Sequence, residues 1–161
     1  MGVASFHLPF WGFLVASFFI QDLEAVSCPV SWHLFEQHCY GFFAEKLSWS
    51  DAETECTSYG RKSHLASILN EREMDSIASS LLTNQKERFR VWIGLYKLKG
   101  SRNRVRWVDA SVVEYLPWAP RQPSSCQDRQ NCIELYADDY RAWNDQYCDV
   151  KQAYICKMGM Y

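Results

Sequence analysis

"CIELYADDYRAWNDQYCDVKQAYICK", residues 132–157, carries the reading of the fold. Three short runs here, "CIELY", "RAWNDQYC" and "AYICKM", are rich in aromatic and β-branched residues and read as strands. Two more lie upstream, "VWIGLY" and "RVRWVDA". Between "RVRWVDA" and "CIELY" runs Ser111 to Asn131, where Pro117, Pro120 and Pro123 punctuate a long loop.

Further upstream the pattern turns helical. "LSWSDAETECTSYG" offers two capping signals, Ser48 with Asp51 or Ser50 with Glu53. Trp49, Ala52 and Cys56 share a face of that helix, and Gly60 is a plausible stop. "SHLASIL" suits a short strand. "NEREMDSIASSLL" opens on a second cap, Asn70 with Glu73, and Met74, Ile77, Ala78 and Leu81 then recur at helical spacing. "CPVSWHLFEQHCYGFF" comes first and reads as a small hairpin. Helices and strands are segregated along the chain, which predicts an α+β fold. No internal repeat is visible, and no linker divides residues 28–161.

The 161 residues are 48% hydrophobic and 16% aromatic, enough for a packed core and contrary to disorder. "LPFWGFLVASFFI" (Leu8 to Ile20) is shorter than the roughly 20 apolar residues a spanning helix needs. With the small residues Ala25-Val26-Ser27 behind it, residues 1–27 read as a secretory signal, so the protein is expected to be secreted, with no transmembrane anchor. The start carries no Lys or Arg, and an uncleaved anchor is the rival reading. Phe6 stands where a myristoylation signal needs Ser or Thr. Losing Asp22 and Glu24 with the signal reduces 19 acids to 17, against 17 Lys and Arg. The net charge of residues 28–161 is then zero and marks no partner; nucleic acid is not expected.

All seven cysteines (Cys28, Cys39, Cys56, Cys126, Cys132, Cys148, Cys156) follow the signal, which in a secreted chain implies three disulfides and one cysteine over. No C-x-x-C pair supports a zinc site, and no N-x-S/T sequon is present.

This order of elements, with these residues, resembles the C-type lectin-like domain. "WIGL" (Trp92 to Leu95) is similar to the family's central core strand. Trp107 to Ser111, with Tyr115 and Trp118 beyond, resembles its W-x-D-G-S…Y…W segment, with Ala110 in place of the usual Gly. "CIEL…WNDQYC…AYICK" resembles its closing strands. The resemblance spans Cys28 to Lys157 and is nearest to the regenerating-islet (lithostathine-like) proteins and the snake-venom galactose lectins. It implies two helices packed on antiparallel sheets, a long loop region, and the disulfides Cys28–Cys39, Cys56–Cys156 and Cys132–Cys148.

In sugar-binding relatives the long loop holds calcium, and the sugar's hydroxyls complete the coordination. Calcium takes about six to eight oxygens, several from carboxylates. The resemblance assigns the site to Gln122, Ser124, Gln130, Asn144 and Asp145, with a cis bond at Pro123. Gln122 fits a galactose-type first position. Ser124 stands where Asn or Asp is expected, and Gln130 where an acid is expected. Of three expected carboxylates, Asp145 alone remains, so calcium at millimolar affinity or weaker is expected, and no cofactor is required. Asp128 is a possible substitute ligand, and a structural role is the favoured reading of Asn144 and Asp145. Ser124→Asp with Gln130→Glu is expected to restore the site.

Cys126 is the odd cysteine. It invites a disulfide-linked dimer, a free or capped thiol, or re-pairing with a neighbour such as Cys132. From Lys86 to Arg106 eight cations face one acid, Glu87. Arg102, Arg104 and Arg106 alternate and would share one face of a strand, making them candidates for a polyanion patch; a solvated loop is the plainer reading. Trp118, Tyr136, Tyr140 and Trp143 are candidates for stacking on sugar rings, though Trp118 and Trp143 suit the core better. His33, His38 and His64 sit in no metal or triad signature, and no phosphate loop appears, so no enzyme is expected. The partners implied are glycans or an extracellular protein. A degenerate lectin and a protein-interaction effector both remain open.

Overall fold

The computed structural model describes residues 2, 27–100, 104–124, 130–136 and 138–160. Most of the expected signal, together with Arg102, Cys126 and Asp128, lies outside the described residues.

The elements in chain order are β1 (His33–Phe35), β2 (His38–Leu47), α1 (Trp49–Ser58), β3 (His64–Leu65), α2 (Glu71–Asn84), β4 (Val91–Lys97), β5 (Val105–Trp107), β6 (Gln130–Leu135), β7 (Trp143–Tyr147) and β8 (Gln152–Gly159). The strands join in the order β1-β2-β8-β4-β6-β7, with β3 added to β8 and β5 to β4. All these pairs are antiparallel except one: β4 and β8 run parallel, with Val91 opposite Ala153 and Trp92 opposite Tyr154. The sheet is therefore mixed rather than purely antiparallel. Tight hairpins force antiparallel pairing, and no hairpin joins β4 to β8, because the whole long loop and three strands intervene.

Both helices start where their caps predict. Ser48 Oγ accepts from Asp51 N at 3.3 Å, which selects the first of the two alternatives for α1. Asn70 Oδ1 accepts from Glu73 N at 2.9 Å. Glu73 Oε2 in turn accepts from Leu69 N at 2.6 Å, while Oε1 accepts from Tyr40 Oη and from Lys157 Nζ at 2.7 Å. A capping carboxylate thus becomes a buried hub tying α2 to β2 and β8. The face predicted for α2, Met74, Ile77, Ala78 and Leu81, is buried in the main core with Val91, Ile93, Leu95, Ile133 and Trp143. α1 covers the other side of the sheet through Ala52 and Cys56, which pack with Leu65, Trp92 and Tyr154.

Within "WIGL", Gly94 has a steric reason. A Cβ there would lie 2.4 Å from Leu65 O, because the chain after β3 crosses directly over it and Gly94 N donates to Ala66 O at 2.9 Å. The three disulfides are Cys28–Cys39, Cys56–Cys156 and Cys132–Cys148, as the resemblance implied. The second joins α1 to β8 across 100 residues. On the chain-entropy model such a closure is worth about 4.7 kcal/mol.

Ala110, the departure from the family's Gly, has φ 64° and closes the turn after β5 through Ala110 N to Trp107 O at 3.1 Å. A left-handed non-glycine residue costs about 1–2 kcal/mol, partly offset by the greater unfolded-state freedom of Gly. Ala110→Gly is expected to stabilise the protein by about 0.5–1 kcal/mol and to raise Tm by about 1–4 °C. Thermal denaturation with disulfides intact reads this directly, and a lower Tm contradicts it.

Candidate functional site

The site forms where the long loop meets the start of β7. Trp143, the first residue of β7, has no exposed surface. Trp107, Tyr115 and Trp118 meet its ring edge-on, with centroids 5.5, 5.7 and 6.3 Å away. Its indole Nε1 points to Met74 Sδ at 3.4 Å, and its backbone brackets the loop: Trp143 N donates to Pro117 O and Ala119 N donates to Trp143 O, both at 2.9 Å. The next two residues, Asn144 and Asp145, are fixed in direction by this anchor.

Asp145 is 1% exposed. Its Oδ1 accepts from Ser124 N at 2.9 Å and from Ser124 Oγ at 3.2 Å. Its Oδ2 accepts from the Lys97 ammonium at the end of β4, and Lys97 is itself only 5% exposed. Asn144 Nδ2 donates to Glu134 Oε1 at 2.7 Å, and Arg90 Nη1 reaches the same oxygen at 2.5 Å. Arg90 also lies over the Tyr136 ring, 4.5 Å from its centroid. Burial opposes the Arg90 charge, but the hydrogen bond and attraction of Glu134, then those of Tyr136, outweigh it and hold its pKa above the ordinary arginine value.

The predicted site residues are thus only partly assembled. Ser124, Asn144 and Asp145 come together. Gln122 is half-buried, joined to Pro123 by a cis bond, and its Oε1 is buried without a hydrogen-bond partner. Gln130 begins β6, opposite Tyr147. Sequence reasoning missed Lys97, yet strand alternation contains the signal. Val91, Ile93, Leu95 and Lys97 share one face of β4, and the first three line the core. A cation continuing a core-facing row requires a buried anion, and Trp143 and Asp145 share a face of β7 in the same way.

These side chains do not fit calcium. Both oxygens of the one remaining carboxylate are engaged, one of them by an ammonium group. The Asn144 amide nitrogen is committed to Glu134, and the Ser124 hydroxyl to Asp145. The Gln122 Oε1, buried without a hydrogen-bond partner, is neutral, and so is the amide oxygen of Asn144. Calcium needs about six to eight oxygens, several of them charged.

Another expectation changes. Tyr140 and Trp143 are fully buried, so neither can stack on a sugar; Tyr136 lies under Arg90, and Trp118 packs on Trp143. β5 covers Val105–Trp107, so it contains Arg106; Arg104 lies just before it, and Arg102 is outside the described residues.

Lys97→Met would leave Asp145 charged, buried and without its cation, with an expected loss of about 3–5 kcal/mol. Adding Asp145→Asn should recover part of that loss, with a coupling of about 0.5–3 kcal/mol. A double-mutant cycle by urea denaturation measures it, and additive losses would show that the two groups do not interact.

The match to known proteins covers nearly the whole described chain. Residues 45–158 match the family model for the Lectin C-type domain. Regenerating islet-derived protein 4 of Rattus norvegicus is 37% identical over 139 residues, covering 86% of this chain and 85% of its own. The C-type lectin BiL of Bothrops insularis is 36% identical over 148 residues, covering 91% and 93%. Among solved structures, a calcium-independent type II antifreeze protein superposes with a TM-score of 0.74 at 29% identity, covering 86% of this chain and 99% of its own. With a family model matching residues 45–158, well over half of its length, the chain belongs to the C-type lectin domain family.

Proposed function

We propose that the protein is a secreted, non-enzymatic binding module, residues 28–161, that recognises carbohydrate without calcium. The observation that carries this is Lys97: an ammonium group sits on the carboxylate that the family uses for its metal. One positive charge tethered to β4 satisfies Asp145, and Asp145 in turn holds Ser124 of the loop. The loop therefore has an internal substitute for the ion's ordering role. The solved antifreeze relative, called calcium-independent, supports the view that this fold can work without the ion. Regenerating islet-derived protein 4 and the venom lectin support a secreted binding role. No helix among the described residues is long and apolar enough to cross a membrane.

A second reading has its own support. The loop exposes Val112 (72%) and Leu116 (39%), apolar side chains that suit contact with a protein. Six cysteines are paired in the described structure, and Cys126 in the same loop is the seventh, so a disulfide-linked dimer belongs to this reading. Glycan-array signal equal in calcium and in chelator supports the first reading. Absence of any glycan signal, with a dimer band on a non-reducing gel, supports the second.

With calcium affinity at millimolar or weaker, 1 mM calcium should add no more than about 0.4 kcal/mol of stability. Micromolar uptake by calorimetry would overturn the proposal. Lys97 also revises the expected route to repair. Ser124→Asp with Gln130→Glu alone should leave calcium binding weak, because Lys97 still occupies Asp145. Adding Lys97→Met should produce calcium-dependent galactose binding; equal binding by the double and triple variants would show that Lys97 does not block the ion.

A further inference from the structure

A second basic feature lies away from the loop. Sheet order places the start of β8 between the end of β2 and the start of β4. Leu47 pairs with Gln152, and Val91 pairs with Ala153. That register brings together residues far apart in sequence: Lys46 before Leu47, Arg88 and Arg90 before Val91, and Lys151 before Gln152. They line a depression of about 220 Å³, with Phe89 and Gln152 completing most of its wall. Four cations line it and no carboxylate does.

Charge is poorly compensated there. Arg90 spends one nitrogen on Glu134. Among the described residues, Lys46, Arg88 and Lys151 have no ion-pair partner, and all three are exposed. Neighbouring acids do not correct this. Glu45 acts electrostatically on Tyr59 and Tyr154, on the other side of the sheet, while Glu87 and Asp149 are exposed and do not line the depression. Like charges gathered without a counter-ion repel, so the arrangement is costly in the absence of an anion.

Gln152 is an independent observation. It lines the same depression, is 6% exposed, and its amide Nε2 is a buried donor without a hydrogen-bond partner. Unsatisfied buried donors are uncommon and call for an explanation. A donor beside four cations has an obvious complement in an oxyanion. Arginine forks suit tetrahedral oxyanions in particular, and lysines add point charges at the rim.

We infer that Lys46, Arg88, Arg90, Lys151 and Gln152 form a binding site for a sulfate ester carried on a polysaccharide. The depression takes one tetrahedral group, and Phe89 offers an apolar wall to the sugar ring bearing it. A bilayer is the poorer partner: Val150 is the one large exposed apolar side chain adjoining these residues in sequence, which leaves little to insert. The site stands apart from the calcium question, because none of its members is a predicted calcium ligand.

The test is calorimetric titration of the protein at about 0.15 M salt, where screening suppresses diffuse attraction. The probes are a size-defined heparin oligosaccharide, its desulfated counterpart, inorganic sulfate, and vesicles containing phosphatidylserine. The expectation is binding of the sulfated oligosaccharide, much weaker binding of inorganic sulfate, and none of the desulfated form or vesicles. Lys46→Gln/Arg88→Gln/Lys151→Gln changes exposed residues only and should weaken binding about tenfold or more. Gln152→Leu, which keeps the volume and removes the donor, should also weaken it, with circular dichroism checking the fold. Arg104→Gln/Arg106→Gln should leave it unchanged. The inference is overturned if the Arg104/Arg106 variant carries the loss, if desulfation has no effect, or if vesicles bind more tightly than the oligosaccharide.

Discussion

Trp143 is fully buried where three parts of the chain must agree. Its ring receives the edges of Trp107, Tyr115 and Trp118, so the turn after β5, the middle of the long loop and the approach to β7 pack on one surface. Aromatic edge-to-face pairs add about 0.5–1.5 kcal/mol each beyond the area they bury. The backbone of the same residue exchanges hydrogen bonds with Pro117 and Ala119. A loop of some twenty residues has few regular hydrogen bonds of its own, and here its position relative to the sheet follows largely from one side chain and its peptide groups. Asn144 and Asp145 inherit their directions from this anchor, and so does the chemistry available to them.

Around them and elsewhere in the core, buried carboxylates each have a cationic partner. Lys97 meets Asp145, Arg90 meets Glu134, and Lys157 meets Glu73. Such pairs add little net stability compared with apolar packing, but half a pair is costly, so the partners are bound to one another in any sequence that folds. In a calcium-binding relative the loop carboxylates would be satisfied by the ion. Here the carboxylates have dwindled to one, and a lysine from the core-facing row of β4 satisfies it. The loss of ligands and the presence of Lys97 are two sides of one electrostatic balance. Either change alone would leave a buried charge without a partner.

Much of the fold was legible because its signals are local. Asn70 with Glu73 marked the start of α2, the 3.6 spacing of Met74, Ile77, Ala78 and Leu81 marked its buried face, and the prolines marked the loop. The resemblance supplied what local signals do not, including the disulfide pairing and the cis bond at Pro123. What escaped notice depends on long-range register. The parallel pairing of β4 with β8 leaves no turn residue to announce it. Lys97 and Asp145 are 48 positions apart, and only the parity of two strands hints that they face one another. Arg88, Lys46 and Lys151 converge because β8 lies between β2 and β4, an order no window of sequence contains. Counting charges along Lys86 to Arg106 included Arg88 and Arg90, two of the four cations that line the depression. It singled out Arg102, Arg104 and Arg106, and linear order carries no sign of the Lys46 and Lys151 that the sheet brings beside Arg88.

The proposed replacement of an ion by a tethered ammonium has a consequence for recognition. A calcium site binds sugar through the metal's open coordination positions, and a lysine held 3% exposed at its side chain offers none. If the loop binds as proposed, its affinity must come from shape, from exposed groups such as Ser124, and from how rigidly they are held. Rigidity is what the Trp143 cluster and the Asp145–Ser124 bonds provide: the cost of ordering the loop is met on folding rather than on binding. A loop so held gives up the switch that a dissociable ion allows. On the proposed reading, its ligand contacts would be set once, when the core closes, and would stay the same with or without calcium in the surroundings.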